Sequence, residues 1–568
     1  MKLQIWMGRA GAGKSRLVLE TLEQQRRQRP QVLLVPEHAS HEAELDLCRI
    51  CGPTASRDAE VLSFRNLATR VLSQTGGLAD VTLDNGGKLL TMRRALQEVS
   101  GRLTVFARPS QRPAFLRQLV ALADELYAYR VTPAALMEQV SDMDGAAGEK
   151  LRSAALIYGA YDARLHGEGI DARSRVQKLC DALPGSDYLV GKDVYVDGFS
   201  YFNRVEEDIL ETALRQANSV AVTLLGDESD PQLFQNALRQ RDRLKRMAAA
   251  VRSECEAKTL VSNGDGALAH LERCFFGDET PWQGEQPSIR LYQAETPFSE
   301  VEYVAAQVRR LAREGCRWRD IGVTARNMEV YGPLLEAVFR RDGIPAYISR
   351  RSDILEKPVL TMLLSAVDAV TGGFEYEDVF RCLKTGMAGV STAECDILEN
   401  YVIRWEIRGA MWLRDTDWTA SPDGYGAELN EVRRQRLAEV NAVRRRVRDL
   451  FIDLSEGLKT GLTIRDKAET LYRFAESAAV PETLKQQTEA LYDDGQVQLA
   501  EEYSQLWRIF CDVLDQFVEL LGDVEVDGQE FARLLRLVLS QYAVATIPAT
   551  LDQVKVTPLT RNDRHTVR

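Results

Sequence analysis

A glycine-rich turn between a short apolar segment and a helical pattern constrains this chain more than any other feature of its sequence. Residues 1–7 form the apolar segment, and residues 8–15 read Gly-Arg-Ala-Gly-Ala-Gly-Lys-Ser. In this spacing, glycines let backbone N–H groups surround phosphate oxygens, the lysine reaches the β and γ phosphates, and the serine hydroxyl holds Mg²⁺. The order of strand, loop and helix therefore predicts a nucleotide-binding loop.

We predict that all eight loop residues contact the nucleotide: Gly8, Arg9, Ala10, Gly11, Ala12, Gly13, Lys14 and Ser15. A nucleotide site of this kind also needs a carboxylate for Mg²⁺ at the end of another strand. The apolar residues 194–196 lead to Asp197, so Ser15 and Asp197 are the predicted magnesium ligands. An aspartate before a glycine is also common in solvated turns, and that alternative stays open.

The residues after Asp197 bear on ATP hydrolysis. ATPases of this class usually place a glutamate directly after that aspartate to orient water, but Gly198 and Phe199 follow it here. Glu206 and Glu207 lie a couple of helical turns later. The sequence therefore predicts ATP binding and leaves hydrolysis open.

The composition is typical of a soluble globular protein with several domains. The chain has 568 residues, 45% of them hydrophobic and 27% charged, and we find no apolar run near the roughly 18 residues that a membrane span needs. The apolar start leads straight into the glycine-rich loop, which is not the pattern of a signal peptide. We therefore predict a cytoplasmic protein that does not bind membranes.

Charge and cysteine content limit the partners and cofactors. The formal net charge of −12 argues against a surface that is basic all over, but it allows a locally basic channel. The nine cysteines show no framework spacing and are predicted to be reduced thiols. Cys48 and Cys51 form a C-x-x-C pair without the second pair or the histidines that a metal site needs, so we favour ordinary helix-end cysteines.

Alternating strand and helix patterns predict an α/β fold with two units, each interrupted by helices. The first unit comprises residues 1–85 and 186–285, with further strands predicted over 32–36, 60–64, 193–199 and 219–227. A helical insertion is predicted over 86–185. The segment 255–288 shows no clear pattern.

The second unit comprises residues 286–374 and 543–568, with a helical insertion over 375–542 and strands predicted over 289–294, 321–326, 345–348 and 551–559. The chain stops just after the last of these strands, so we predict an incomplete unit in a truncated chain. Within the second insertion, residues 433–448 include seven arginines. They either face a phosphate backbone or form a solvated helix face that pairs with nearby acids.

The layout of two interrupted α/β units with a P-loop at the start resembles a superfamily 1 helicase. More closely, the chain is similar to the AddB family, the second subunits of the bacterial AddAB helicase-nucleases. The segments that carry this resemblance are 8–15, 32–36, 61–64, 194–199, 317–321, 379–386, 398–401 and 551–554. The P-loop is generic, whereas the co-linear set, above all Leu-Glu-Asn-Tyr at 398–401 and Leu-Asp-Gln-Val at 551–554, is specific.

The resemblance implies two RecA-like parallel-sheet domains and a role in processing double-strand DNA ends for recombinational repair. The implied cofactors are ATP and Mg²⁺, and the implied partners are the helicase-nuclease AddA, DNA ends and single-stranded DNA. In this family, AddB also carries a nuclease and a four-cysteine iron–sulfur cluster in its C-terminal part, which we expect this chain to lack. None of the nine cysteines is therefore assigned to a cluster.

The family also reads a recombination hotspot, Chi, through residues at the ends of strands. The matching positions here are His38, Ser40, Phe64, Asn66, Thr69 and Phe202. Better-known members usually have an arginine in place of Asn66 and a tryptophan in place of Thr69, so the resemblance implies a different or weaker base preference. Phe64 and Phe202 could stack on bases, although burial in the core is the commoner fate of phenylalanine.

Two other functions stay open. The chain could be an autonomous ATP-driven translocase, which would show DNA-stimulated ATP turnover. It could also be a small-molecule kinase, although that function gives no reason for two interrupted α/β units. Gly226 and Asp227 resemble the start of a helicase motif that couples nucleotide to DNA, but the expected glutamine comes late, at Gln232.

Overall fold

The fold is known from a computed structural model and is a mixed α/β structure with a six-stranded sheet and many helices. The residues described are 2–26, 28–77, 83–103, 105–106, 113–167, 175–261, 266–277, 280–348, 352–544 and 552–559. Leu551 and the residues from 560 onward, which belong to the predicted closing segment, lie outside this description.

A fully parallel sheet of six strands forms the centre of the first unit, and its strand order is β3-β2-β4-β5-β1-β6. The strands are β1 Lys2–Gly8, β2 Gln31–Leu34, β3 Ala59–Leu62, β4 Asp193–Val196, β5 Ser219–Leu225 and β6 Glu254–Leu260. Strands buried on both faces read as continuous apolar runs, which is why the sequence identified β2 and β4. Neighbouring residues of one strand serve two cores, since Leu34 faces one side of the sheet and Leu33 the other.

Helices cover both faces of this sheet. One face is covered by α1 Lys14–Gln24 and α2 Ser40–Cys51, and the other mainly by α3 Phe64–Thr75, α8 Arg175–Ala182, α9 Arg204–Gln216 and α10 Gln235–Ala250. A short helix, α11 Ala267–Cys274, follows β6. Each crossover returns the chain to the same end of the sheet, so every strand ends at one common edge.

The helices of the two predicted insertions form one core rather than two, and the helix Pro358–Gly372, which was predicted to belong to the second α/β unit, is part of it. The helices are α4 Asn85–Val99, α5 Pro113–Ala128, α6 Pro133–Ser141, α7 Gly145–Gly167, α14 Pro358–Gly372, α15 Tyr376–Leu383, α16 Thr392–Trp405, α17 Glu431–Thr460, α18 Ile464–Ser477, α19 Val480–Asp493, α20 Val497–Leu521 and α21 Gly528–Leu539. Buried side chains of α4, α5 and α7 belong to the same hydrophobic cluster as those of α14–α21. Between α4 and α21, Arg93 and Glu530 form a half-buried ion pair at 2.8 Å.

A smaller parallel sheet lies in the second unit, with the strand order β7-β11-β8. Its strands are β7 Gly322–Ala325, β8 Ala346–Ile348 and β11 Val554–Pro558, and it packs against α12 Pro297–Arg313 and α13 Met328–Arg341. The strand that comes last in sequence is thus the central one, with Val556 opposite both Val323 and Ile348. A separate antiparallel pair joins β9 Ser352–Asp353 to β10 Ala543–Val544.

One strand prediction was wrong, and one strand was not predicted. The segment predicted as a strand over 289–294 pairs with no other strand among the residues described, and its Leu291 is fully exposed. Conversely, β6 lies within the segment that showed no pattern, because it is an edge strand with exposed side chains. It is held by its backbone pairing to β1, from Lys2 opposite Glu254 to Gly8 opposite Leu260.

The arginine run of α17 is paired with acids. Ion pairs join Arg433 to Asp423 at 2.6 Å, Arg445 to Asp417 at 2.9 Å and Arg448 to Asp415 at 3.0 Å. The acid-paired interpretation of this run is therefore confirmed. In the part of the chain that the structure describes, no helix combines the length and the apolar character needed to cross a membrane.

Because the two insertions share one core, a cavity in α21 should affect α4 as well. Phe531 is fully buried and packs edge-on against Phe517 of α20. We expect Phe531→Ala to lower the free energy of unfolding by about 3 to 5 kcal/mol and to increase hydrogen exchange in α4 and α20 alike. The control is Tyr425→Ala, which removes an almost fully exposed ring. Faster exchange confined to α21 would contradict a shared core.

Candidate functional site

The candidate site residues lie at the carboxyl edge of the six-stranded sheet. The glycine-rich loop follows β1, and Asp197 follows β4 directly. His38 and Ser40 come after β2, while Phe64, Asn66 and Thr69 lie on α3 after β3. Because all six strands are parallel, these loops emerge at one edge, where open α/β sheets bind ligands.

The glycine-rich loop has a shape that its glycines alone permit. Gly11 and Gly13 have φ values of 72° and 80°, in the left-handed region that residues with a Cβ rarely adopt. Gly8 is restricted for another reason: a Cβ there would lie 2.8 Å from the carbonyl oxygen of Leu260 in β6. The loop therefore turns tightly between β1 and α1 while β6 passes close to its start.

Lys14 is folded back into the loop. Its Nζ donates hydrogen bonds of 2.7 Å to the carbonyl oxygens of both Gly8 and Arg9. Burial lowers the pKa of the Lys14 ammonium, and the nearby carboxylates of Asp197 and Glu272 oppose that shift. An arriving anion would compete with the two carbonyl groups for this ammonium.

The N-terminus of α1 is suited to an anion. No side chain caps it with a hydrogen bond, because the cap residue is Gly13, and its first turn contains no acidic residue. The first N–H groups of a helix have no partner within the helix, and its dipole is positive at that end. Ser15 lies in this first turn with a half-buried side chain, so its hydroxyl is next to the place an anion would occupy.

Asp197 is a buried carboxylate on the neighbouring side of the loop. It is only 2% exposed, and its Oδ1 accepts a hydrogen bond from the hydroxyl of Thr223 in β5. Its backbone N–H continues the sheet pattern by donating to the Leu34 carbonyl at 2.9 Å. Asp197 is therefore held at the end of β4 by the sheet, which does not fit a solvated turn residue.

The two glutamates after this strand are engaged elsewhere. Glu206 completes a capping box at the start of α9, since its side chain accepts from the Asn203 N–H at 2.9 Å. Burial raises the pKa of Glu206, and the hydrogen bond from the Asn203 backbone opposes that shift. Glu207 is buried and accepts from Arg243 of α10 at 3.1 Å. Glu206 thus caps α9, and Glu207 links α9 to α10.

Arg9 joins the loop to the segments after β5 and β6. Its Nε donates to Asp227 at 2.6 Å, its Nη1 lies 3.5 Å from Glu272, and its guanidinium carbon lies 5.2 Å from the centre of the Phe234 ring. Burial alone would raise the pKa of Asp227, but hydrogen bonds from Arg9 and Ser229 outweigh it, and the pKa is lowered. Arg9 was predicted to contact the nucleotide, whereas here it anchors the loop.

An apolar cavity of about 710 Å³ lies beside the loop on the side of α11. Its lining includes Ala10, Tyr201, Phe234, Leu271, Phe275 and Phe276. Among the described residues, the lining contains no lysine or arginine and includes the carboxylate of Glu272. Such a surface does not attract phosphate, which leaves the loop as the candidate anion site.

The polar residues among the predicted DNA contacts differ in accessibility. His38 and Asn66 are exposed, and Ser40 and Thr69 are half-buried. The Ser40 Oγ is itself buried and has no hydrogen-bond partner among the residues described. Arg65 is a further candidate contact that was not predicted. It is exposed beside Asn66 and lies 3.4 Å from Glu37. Its place in the sequence, directly before Asn66, could have identified it.

Phe64 and Phe202 lie in the core. They are 5% and 4% exposed, and each packs against Phe199, with ring centres 5.2 and 5.4 Å apart. These contacts fix the loop after β4 against α3. Both rings are therefore buried in the core, which was the alternative to base stacking. Stacking of either ring on a base stays a prediction.

The cysteines carry no disulfide, because all nine are free. Across the described ranges, no group of three or more histidine, cysteine, aspartate and glutamate side chains is arranged to hold a metal ion.

Comparison with known proteins gives one consistent result. Residues 5–272 match the family described as ADDB, N-terminal. The whole chain is 34% identical to the B subunit of the ATP-dependent helicase/deoxyribonuclease of Desulforudis audaxviator, and covers 52% of that protein. It is 31% identical to the protein of the same name from Acetivibrio thermocellus and covers 51% of it. The chain thus spans about half the length of these relatives.

The anchoring of Arg9 by Asp227 can be tested through stability. We expect Asp227→Asn to lower the free energy of unfolding by about 1.5 to 3 kcal/mol, the usual contribution of a hydrogen bond to a charged group. Because the folded-state pKa of Asp227 is lowered, this difference should be constant from pH 5 to 8 and shrink only below about pH 4, as the carboxylate is protonated. Urea unfolding at several pH values measures it.

The matched control is Asp230→Asn, in the same loop, where the side chain accepts a backbone hydrogen bond from Leu233 at 3.2 Å and forms no ion pair among the described residues. An equal decrease in the free energy of unfolding for both variants would show that Asp227 does not specifically anchor Arg9.

Proposed function

Because the chain belongs to the AddB family, we propose that it is the ATP-binding, DNA-recognising part of an AddB protein. In this proposal it works with a helicase-nuclease of the AddA type to process double-strand DNA ends for recombinational repair, including recognition of Chi. The supporting observation is a P-loop and a set of exposed polar side chains on the same edge of one parallel sheet.

The proposed architecture is that of a superfamily 1 helicase with two RecA-like domains. Residues 1–85 and 186–285 form the first domain, and residues 286–374 and 543–568 belong to the second. The helical insertions are 86–185 and 375–542. Two separate parallel sheets with helices packed against them support this division. The proposal assigns none of the nine cysteines to an iron–sulfur cluster.

The ATP site is built from the residues of the loop and from Asp197. Lys14 would exchange its acceptors, the carbonyl oxygens of Gly8 and Arg9, for phosphate oxygens, and the uncapped N-terminus of α1 would donate N–H groups to them. The hydroxyl of Ser15 and the buried carboxylate of Asp197 are hard oxygen ligands that suit Mg²⁺, which would offset the phosphate charge. The chemistry of these residues supports the proposed ATP–Mg²⁺ site.

The site is proposed to hold ATP and to hydrolyse it poorly. Gly198 follows Asp197, and Glu206 and Glu207 are held in a capping box and against α10, so neither carboxylate is free to orient a water. Bound ATP would then stabilise the P-loop and its anchor at Arg9 rather than drive movement. The alternative is an autonomous ATP-driven translocase.

ATP binding can be tested with variants of neighbouring residues. We expect Lys14→Ala to weaken Mg–ATP binding at least a hundredfold, because it removes the ammonium that pairs with the phosphates. Asp197→Asn should leave the affinity for ATP unchanged when Mg²⁺ is absent. It should abolish the increase in ATP affinity that Mg²⁺ causes in the wild-type chain. Equilibrium titration with a fluorescent ATP analogue measures both effects.

Arg16→Ala is the matched control, since the Arg16 side chain is exposed and its one ion pair among the described residues is with Glu20, one turn further along α1. Equal binding by wild type and Lys14→Ala would contradict the site. Fast DNA-stimulated ATP turnover that Lys14→Ala abolishes would instead support the autonomous translocase.

We propose that DNA bases are read at the ends of β2 and β3. His38, Asn66 and Thr69 supply donors and acceptors there. Ser40 would do so once its buried Oγ turns outward. The packed rings of Phe64, Phe199 and Phe202 hold the loops in place. Direct stacking of Phe64 or Phe202 on a base would require either ring to leave this cluster. Polar side chains at such positions discriminate between bases through hydrogen bonds.

This proposal predicts a change in sequence preference. We expect His38→Ala and Asn66→Ala to weaken binding of the preferred single strand about tenfold, the effect of losing one good base contact, while binding of other sequences changes little. Fluorescence anisotropy with a set of labelled oligonucleotides measures the ratio. Ser73→Ala, an exposed change on the same helix α3, is the control. A uniform loss across all oligonucleotides would contradict base reading at this edge.

A further inference from the structure

Helix α10 carries a dense group of basic residues in the first α/β unit. Five of the eight residues from 239 to 246 are basic and one is acidic, in a chain whose formal net charge is −12. The basic residues are Arg239, Arg241, Arg243, Lys245 and Arg246. No function was predicted for this helix, although its charge density is visible in the sequence.

The helix presents these residues to solvent because its other face is buried. Ala237, Gln240, Leu244 and Ala248 are buried, and Leu244 and Ala248 belong to the core beneath the sheet. The opposite face carries Arg239, Asp242, Arg243, Lys245 and Arg246, all exposed, around a shallow depression of about 400 Å³ that they alone line. Residues three, four and seven positions apart share one face of a helix, so the basic side chains form one surface.

Three of these cations have no acidic partner in the part of the chain that the structure describes. Arg241 pairs with Glu228 and with Asp242, and Arg243 pairs with the buried Glu207 at 3.1 Å. Arg239, Lys245 and Arg246 form no ion pair with any residue that the structure describes. The arginine run of α17 differs in this respect, since its members are neutralised by Asp415, Asp417 and Asp423.

We propose that the exposed face of α10, defined by Arg239, Arg243, Lys245 and Arg246, binds the phosphate backbone of a DNA strand. A helix rises about 1.5 Å per residue, so Arg239 and Arg246 are separated by roughly 10 Å along its axis, a distance that spans several phosphates of one strand. Unpaired guanidinium groups bind phosphate without an energetic cost for breaking an ion pair.

The character of the surface favours nucleic acid over an acidic protein. The depression is lined by charged residues alone, whereas the centre of a protein interface is usually apolar, with aromatic anchors. A backbone of regularly spaced phosphates needs no apolar contact. Sequence-independent binding of this kind is carried by lysine and arginine side chains.

The position of α10 relates this surface to the candidate site. The helix follows β5 and leads to β6, so it runs from the carboxyl edge of the sheet back toward the other edge. Phe234, directly before it, contacts the Arg9 that anchors the P-loop. A strand bound at the carboxyl edge could therefore continue along α10. This inference rests on the proposed function, because it supposes that the chain handles DNA.

The test compares two double variants that remove the same charge. Arg239→Gln/Arg246→Gln removes two unpaired arginines of α10, and Arg433→Gln/Arg436→Gln removes two arginines of α17 that both pair with Asp423. The affinity of the full chain for a labelled single-stranded oligonucleotide is measured at KCl concentrations from roughly 50 to roughly 200 mM. Each phosphate contact contributes about 0.7 to the slope of log affinity against log salt for single strands.

We expect the α10 variant to reduce this slope by about 1.4, equally for oligonucleotides of different sequence, and the α17 variant to leave it unchanged. Unchanged thermal melting of both variants shows that they are folded. Lys245→Gln, a single exposed change, should reduce the slope by about half as much.

Three outcomes would overturn the inference. An α10 variant with the wild-type slope would exclude this surface while leaving the proposed function intact. An equal reduction in both variants would show a general charge effect. Polyglutamate that binds wild type and not the α10 variant, with DNA binding unaffected, would identify an acidic protein as the partner. Failure of the wild-type chain to bind any DNA would contradict the proposed function itself.

Discussion

The parallel pairing of β1 with β5 and β6 is the constraint on which the rest of the site depends. This pairing runs in register along all seven residues of β1, from Lys2 to Gly8. It brings the loop after β1 beside the ends of β5 and β6. A Cβ at Gly8 would therefore clash with the carbonyl oxygen of Leu260. A chain that leaves such a strand must turn at once, and Gly11 and Gly13 permit that turn through their positive φ values. The position of Lys14 follows from the turn.

The same pairing determines how the loop is anchored. Because β5 lies directly beside β1, the segment after β5 reaches the second residue of the loop, and Asp227 accepts a hydrogen bond from Arg9. Because β4 lies one strand further away, Asp197 is held by Thr223 of β5 and remains close enough to influence the pKa of Lys14. The strand order thus places Asp227 where it anchors the loop and Asp197 where its carboxylate is the predicted magnesium ligand.

Arginine has two different roles in this chain, and its surroundings decide between them. On α17, arginines close in sequence pair with aspartates of the preceding loop, which fixes that loop against the helix. On α10, the one acid of the exposed face, Asp242, pairs with Arg241, and Arg239 and Arg246 form no ion pair with any described residue. Net charge therefore says little about where a negatively charged partner binds, because ion pairing within the molecule neutralises some basic residues and leaves others available.

The sequence alone determined the local chemistry of this protein, and the tertiary structure decided which parts act together. The glycine spacing at 8–15, the apolar run of β2 and the strand leading to Asp197 could be predicted because each depends on neighbouring residues. The strand β6 could not, since its exposed side chains show no pattern and only its backbone pairing with β1 holds it. The common core of the two helical regions, the central place of β11 and the Arg9–Asp227 contact join residues tens to hundreds of positions apart. Such contacts depend on how whole elements pack, which no local pattern records.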